Sequence, residues 1–199
     1  MVFHRKNSQT AIEYLEAKSP NIKPRYERKF RMPIGFELIM ANRLMSVGFR
    51  KVFPDRSVNS IYFDTNQLDF AQDNINGIAN RLKIRKRWYG EYNILKSDPR
   101  LEFKHKKGFL GYKYHHQIDN YCNKSVVEYV QKTMGMGVSP KLETNYYRSY
   151  YMNDNGFRVT LDSRLGTKDC INKSKTASLL YSVMEIKYPI DRDEQYRKH

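Results

Sequence analysis

The sequence predicts an α+β fold: an antiparallel β-tunnel of about eight strands with a polar lumen, and helices packed outside. Three observations predict it. Seven or eight segments alternate with the period of a strand, and only two or three have helical spacing. Their order is not the strand–helix–strand alternation of a parallel sheet. Five of the strands carry one charged face and one bulky apolar face. Helices covering the apolar faces would leave the charged faces looking at one another across a lumen.

The elements follow in chain order. Ser8 to Lys18 is a short helix, capped at Ser8 or Thr10, and "NIKP" breaks it. "RYERKFRM" (Arg25 to Met32) is the opening strand. Pro33 suits a first helical turn, and Phe36, Ile39, Met40, Leu44 and Val47 follow at helical spacing until Gly48. Ser57 to Thr65 and Ala79 to Gly90 are strands. "RLEFKHKKG" and "YKYHHQI" flank Gly108 and Gly111 as a hairpin. Ser125 caps a second helix that ends in glycine at Gly137. "KLETNYYRSYYMND" and "FRVTLDSRL" flank "NDNG", a strong hairpin signal. Leu179 to Pro189 is the last strand. No segment reads as a linker, so residues 1–199 form one domain: an N-terminal helical extension over 1–24 and the tunnel over 25–189.

Composition narrows the function. The 36 Lys and Arg against 21 Asp and Glu give a formal charge of +15, which favours a polyanionic partner: nucleic acid, a phosphorylated ligand or an anionic membrane. The apolar runs are far short of the roughly 20 residues of a membrane helix. The N-terminus lacks the apolar core of a secretory signal. Cys122 and Cys170 are isolated, which indicates neither a zinc site nor a disulfide framework. The expected location is cytoplasmic.

The charged faces carry the chemistry. Arg25, Glu27, Lys29 and Arg31 share one face of the opening strand. Arg81, Lys83, Arg85 and Arg87 share another, with Leu82, Ile84 and Lys86 opposite. Glu102, Lys104 and Lys106 lie together, as do Arg158, Thr160 and Asp162, and Glu185 and Lys187. Any one of these could be a solvated outer face, where Glu–Lys pairs contribute roughly 0.2–1 kcal/mol. As a set they are too rich in Arg and too bulky on the apolar side. A lumen of cations repels itself unless an anion fills it, and Arg and Lys bind phosphate oxygens by charge-assisted hydrogen bonds. Carboxylates oppose anion binding, so they need another role. Holding Mn²⁺ or Mg²⁺ beside a phosphate chain is one; orienting the cations is another, and for Glu27 and Glu102 both stay open. A nucleic-acid groove would gain from the cations and suffer from the carboxylates.

The segments "RYERKF", "SIYFDT", "KIRKRWYG", "LEFKHKKG", "PKLETNYYRSYY" with "FRVTLD", and "VMEIKYP" occur in an order that resembles the VTC domain. This is the polyphosphate polymerase module of the vacuolar transporter chaperone type, among the triphosphate tunnel metalloenzymes with the CYTH proteins. The resemblance implies an eight-stranded tunnel, a divalent metal (Mn²⁺ or Mg²⁺) and ATP as phosphoryl donor. It implies tunnel cations at Arg25, Lys29, Arg85, Arg87, Lys104, Arg148, Arg158 and Lys187, and a metal-binding carboxylate at Glu185. The charged faces add Lys83 and Lys106 as phosphate ligands and Glu27 and Glu102 as further metal candidates. Classical members open with Glu-x-Glu-x-Lys; Arg25 replaces the first glutamate here, which points to the polymerase branch. The family's Ser-Lys-Phe/Tyr strand, which usually follows the Glu-x-Lys strand, has no counterpart after Pro189.

Other residues have plainer readings. Trp88 and Tyr89 pack as core or rim, and His105, His115 and His116 lie at the surface. Asp64 caps a turn. Asp162 is either a lumen partner of Arg158 or part of a strand exit. The expected activity is metal-dependent phosphoryl transfer on triphosphate or polyphosphate: a polymerase drawing on ATP, with phosphate or the growing chain as acceptor. A triphosphatase and a non-catalytic polyphosphate-binding module are the alternatives. No specific nucleic acid and no membrane are expected as partners.

Overall fold

The computed structural model describes residues 11–17, 25–90, 99–108, 110–117 and 122–189. Helix α1 covers 11–17. It is followed by β1 (Arg25–Met32), α2 (Phe36–Ser46), β2 (Arg50–Asp64), α3 (Asp69–Ile75), β3 (Asn80–Tyr89), β4 (Arg100–Lys107) and β5 (Leu110–His116). Then come α4 (Asn123–Met134), β6 (Ser139–Met152), β7 (Arg158–Asp169), β8 (Thr176–Ser178) and β9 (Ser182–Pro189). The expected caps at Ser8 and Thr10, the "NIKP" break and the segment after Pro189 lie outside these residues.

Among the described residues every strand pairing is antiparallel, in the order β6-β2-β3-β4-β5-β1-β9-β7-β8. β6 also pairs with β7, from Leu142–Asp169 to Met152–Arg158. Eight strands thus close into a ring. β8 is a ninth, paired with Gly166–Lys168 beyond the reach of β9.

Closure separates two environments. Leu82, Ile84, Leu101 and Phe103 alternate outward on β3 and β4 and are fully buried. With Ile61 and Phe63 they meet Val126, Val130 and Met134, the i, i+4 stripe of α4, together with Phe70 of α3 and Ala11 and Leu15 of α1. Burying each large side chain is worth about 1.5–3 kcal/mol. Trp88 belongs to this core. A second cluster joins Met32, Tyr151, Val159 and Leu161 to Ala41 and Leu44 of α2.

The NDNG hairpin forms as expected, with Asn153 N donating to Phe157 O and Gly156 at φ 81°. Several details differ. α4 begins at Asn123, two residues early, because the Cys122 side chain rather than Ser125 is the cap and accepts from Ser125 N. It ends at Gly135, whose φ of 65° stops it. Pro33 lies in a turn before α2 rather than in its first helical turn. Phe36, Ile39 and Val47 of the expected apolar stripe are exposed, because α2 rests on the sheet mainly through Ala41 and Leu44. The turn of the β4–β5 hairpin includes Gly108, at φ 61°, but not Gly111, which is already paired with Lys106 in the ladder. The short β8 carries no periodic signal and was not expected.

Candidate functional site

The charged faces predicted from strand period point into the ring. A central cavity of about 380 Å³ is lined by Lys29, Arg85, Arg87, Lys104, Lys113, Arg148 and Lys187, against the carboxylates Glu27, Asp162 and Glu185. Two further cavities share its walls. One, of about 210 Å³, adds Arg81, Lys83 and Lys106; the other, of about 760 Å³, adds Phe53, Tyr150 and Arg158.

Register explains who meets whom. Lys29 lies opposite Glu185, and Glu27 opposite Lys187, across the β1–β9 ladder. Lys29 Nζ is 3.1 Å from Glu185 Oε2, and Lys187 contacts Glu185 directly. Lys187 also lies 3.8 Å from Glu27 Oε1, while Lys104 Nζ donates to Glu27 Oε2 at 2.6 Å. Glu27 and Glu185 therefore flank one ammonium. Burial would raise the Glu185 carboxyl, but Lys187, Lys29, Arg148 and Lys104 hold it far below the ordinary range. Burial likewise opposes ionisation of Glu27, and Lys104 and Lys187 overcome it.

Glu102 is 1% exposed. Arg85 reaches its Oε2 through Nε at 2.8 Å and through a terminal nitrogen at 2.7 Å, and Lys113 reaches Oε1 at 2.6 Å. Burial pushes its pKa up, but Arg85, Arg87 and Lys113 bring it down to about 2. Arg148 makes a bidentate pair with Asp162, at 2.5 and 2.7 Å, both side chains buried. Arg87 donates to Ser60 Oγ at 3.1 Å and to Tyr146 Oη at 2.9 Å. Arg85 also donates to Tyr62 Oη at 3.1 Å. Burial would raise the Tyr62 phenol, yet Arg85, Arg87 and Lys83 lower it to about 7. Lys83 has no carboxylate partner among the described residues; burial and the neighbouring Lys29, Lys104 and Arg85 lower it to about 8, against the pull of Tyr62.

Arg25 opens β1 opposite Pro189 and Gly111, and its side chain lies outside the described residues. Arg158 is exposed at the wider cavity, across from Lys187. Asp64 caps α3, accepting from the backbone N–H groups of Thr65, Phe70 and Ala71. His105 is buried rather than at the surface: it points outward into the core, stacks on Tyr112 and bonds to Asn80. His116 is half-buried, stacked on Tyr129, while His115 is exposed. Sequence reasoning missed Lys113, Tyr62 and Tyr146. The alternation of "YKYHH" held a signal for Lys113, with Lys113 and His115 on one face and three rings on the other.

No three His, Cys, Asp or Glu side chains cluster as a ready metal site among the described residues. Glu27 and Glu185, ionised and converging on Lys187, are hard oxygen donors that suit Mn²⁺ or Mg²⁺ when phosphate and water complete the shell. Glu102, enclosed by Arg85 and Lys113, does not offer that. No described helix is long and apolar enough to cross a membrane.

Among curated proteins, none matches the sequence. Solved structures with a similar fold include the Pyrococcus horikoshii OT3 protein PH1819, at 15% identity and TM-score 0.51, covering 87% of this chain and 83% of that one. Another is the Hippeastrum protein HpAC1, reported with a dominant triphosphatase activity, at 14% identity and TM-score 0.52, covering 87% and 84%. At such identity they show a shared fold. The family model of the VTC domain matches residues 23–197, nearly the whole chain, and the protein therefore belongs to the VTC domain family.

Proposed function

We propose that this protein is a metal-dependent polyphosphate polymerase that takes phosphoryl groups from ATP. The observation that supports it is the charge of the closed lumen: seven Lys and Arg side chains against three carboxylates in one central cavity. Such an excess is stabilised by a polyanion threaded through it, and a ring of strands admits a chain where a nucleic-acid duplex does not fit.

Arg85, Arg87, Lys29, Arg158 and Lys187 bind the phosphates and neutralise the charge that develops as an acceptor phosphate oxygen attacks the terminal phosphorus and ADP departs. Arg25, Lys83, Lys104, Lys106 and Arg148 extend the phosphate track. Glu102 and Asp162 act on the cations, fixing Arg85 and Arg148 in place before substrate arrives. Glu185, with Glu27, would hold Mn²⁺ or Mg²⁺, which would supply Lewis-acid withdrawal of charge from the phosphate. The acceptor is itself a phosphate, so no protein nucleophile is required.

Incubation with ATP and Mn²⁺ is expected to yield ADP and long-chain polyphosphate, and Arg87→Ala to lower the rate about 100- to 1,000-fold. Glu185→Ala is expected to abolish the response to Mn²⁺. Free phosphate from tripolyphosphate without any chain would instead establish a triphosphatase. Binding without turnover would establish a polyphosphate-binding module.

A further inference from the structure

The wider cavity ends in a feature that phosphate binding does not explain. β2 slips register between Lys51 and Phe53 and again between Phe53 and Arg56. Such bulges re-aim the side chains of a strand. Here they gather an aromatic cluster at the end of the cation track. Phe53 pairs in register with Tyr150, their rings 5.7 Å apart and nearly perpendicular at 84°. The Arg56 guanidinium lies 4.3 Å from the Tyr89 ring centre, 4.9 Å from Tyr150 and 5.8 Å from Phe53. Its Nε also donates to Tyr150 Oη at 3.1 Å. Lys51 and Asp55 pair at 2.8 Å across the bulge.

Phe53 stays 55% exposed, although it lines the same cavity as Lys113, Arg148, Arg158 and Lys187. The face of an aromatic ring carries negative charge density, so it offers nothing to phosphate oxygens. It does offer a stacking surface to a heterocyclic base, and the adjoining guanidinium, held over Tyr89 and Tyr150, fixes the rings beside it. A cavity of about 760 Å³ leaves room for a nucleoside beside the cations.

We propose that Phe53, held edge-to-face against Tyr150 and braced by Arg56, forms a nucleobase platform at this end of the lumen. The donor is then a nucleoside triphosphate that enters with its phosphates leading toward Arg148 and Lys187 and its base resting on Phe53. The proposal rests on the phosphate-binding reading of the lumen and adds to it the recognition of the base.

Calorimetric titration of the whole protein with ATP and with inorganic tripolyphosphate, in EDTA to prevent turnover, separates the two. Phe53→Ala is expected to weaken ATP about 5- to 100-fold and to leave tripolyphosphate within about twofold. Phe53→Trp is expected to restore ATP binding. Because Phe53 lies outside both apolar cores, an unchanged thermal midpoint will show that the variants fold. Equal losses for both ligands, or no loss for ATP, would overturn the platform. If wild-type protein binds ATP but not tripolyphosphate, the lumen reading fails, and the platform stands only if Phe53→Ala still weakens ATP. If it binds neither, both fail.

Discussion

Tyr62 shows how far single residues are shaped by the lumen. A buried phenol ordinarily resists ionisation, yet Arg85, Arg87 and Lys83 bring this one to about 7, while Lys83 itself falls to about 8. Both folded values lie below those of the unfolded chain. The Tyr62 contribution to stability is therefore complete at high pH and is lost as pH falls through 7. Lys83 penalises the fold while it is charged, and the penalty fades as pH rises above 8. A bound polyanion reverses both preferences, since it favours a charged Lys83 and a neutral Tyr62. Tripolyphosphate binding near pH 8 is thus expected to take up protons and to weaken as pH rises toward about 9. Calorimetry in two buffers of different ionisation enthalpy reads the uptake directly; identical apparent enthalpies would contradict it.

At the scale of elements, short helices are held by specific partners more than by propensity. α3 has only seven residues, too few to be stable alone. Its first-turn N–H groups are answered by Asp64 at the end of β2, which makes three backbone hydrogen bonds. Asp64→Ala is expected to cost about 1–2 kcal/mol, read as a shift in the denaturant midpoint without a change in slope. The turn role of Asp64 was legible from "YFDT", because a carboxylate beside a strand end competes for backbone donors. The position of α2 was not. Its apolar residues run round much of the helix, so spacing alone could not choose which of them meets the sheet, and Ala41 and Leu44 do.

For the whole molecule, closure of the ring sets the main electrostatic problem. Like charges forced across a lumen destabilise the empty protein, and a ligand that binds only the folded state relieves this by mass action. Tripolyphosphate is expected to raise the thermal midpoint by several degrees, about 2–4 °C for each 1 kcal/mol at this chain length. The gain is expected to shrink as salt is added, because the exposed share of the attraction is screened. A midpoint that fails to move with saturating tripolyphosphate would show that the lumen cations are balanced without a ligand.

Strand period alone marks eight of the nine described strands, their two faces and most of the lumen cations, because a period of two assigns side chains to faces without knowledge of neighbours. Arg81 to Arg87, Glu102 to Lys106 and Glu185 with Lys187 could be placed on that ground alone. The pairings across the ring come from the folded sheet alone: Lys113 with Glu102, Arg148 with Asp162, Lys187 between Glu27 and Glu185. These depend on register between strands as distant in sequence as β1 and β9, and on bulges such as those around Phe53, which have no periodic signature. Local alternation says which way a side chain points; closure of the sheet says what it meets there.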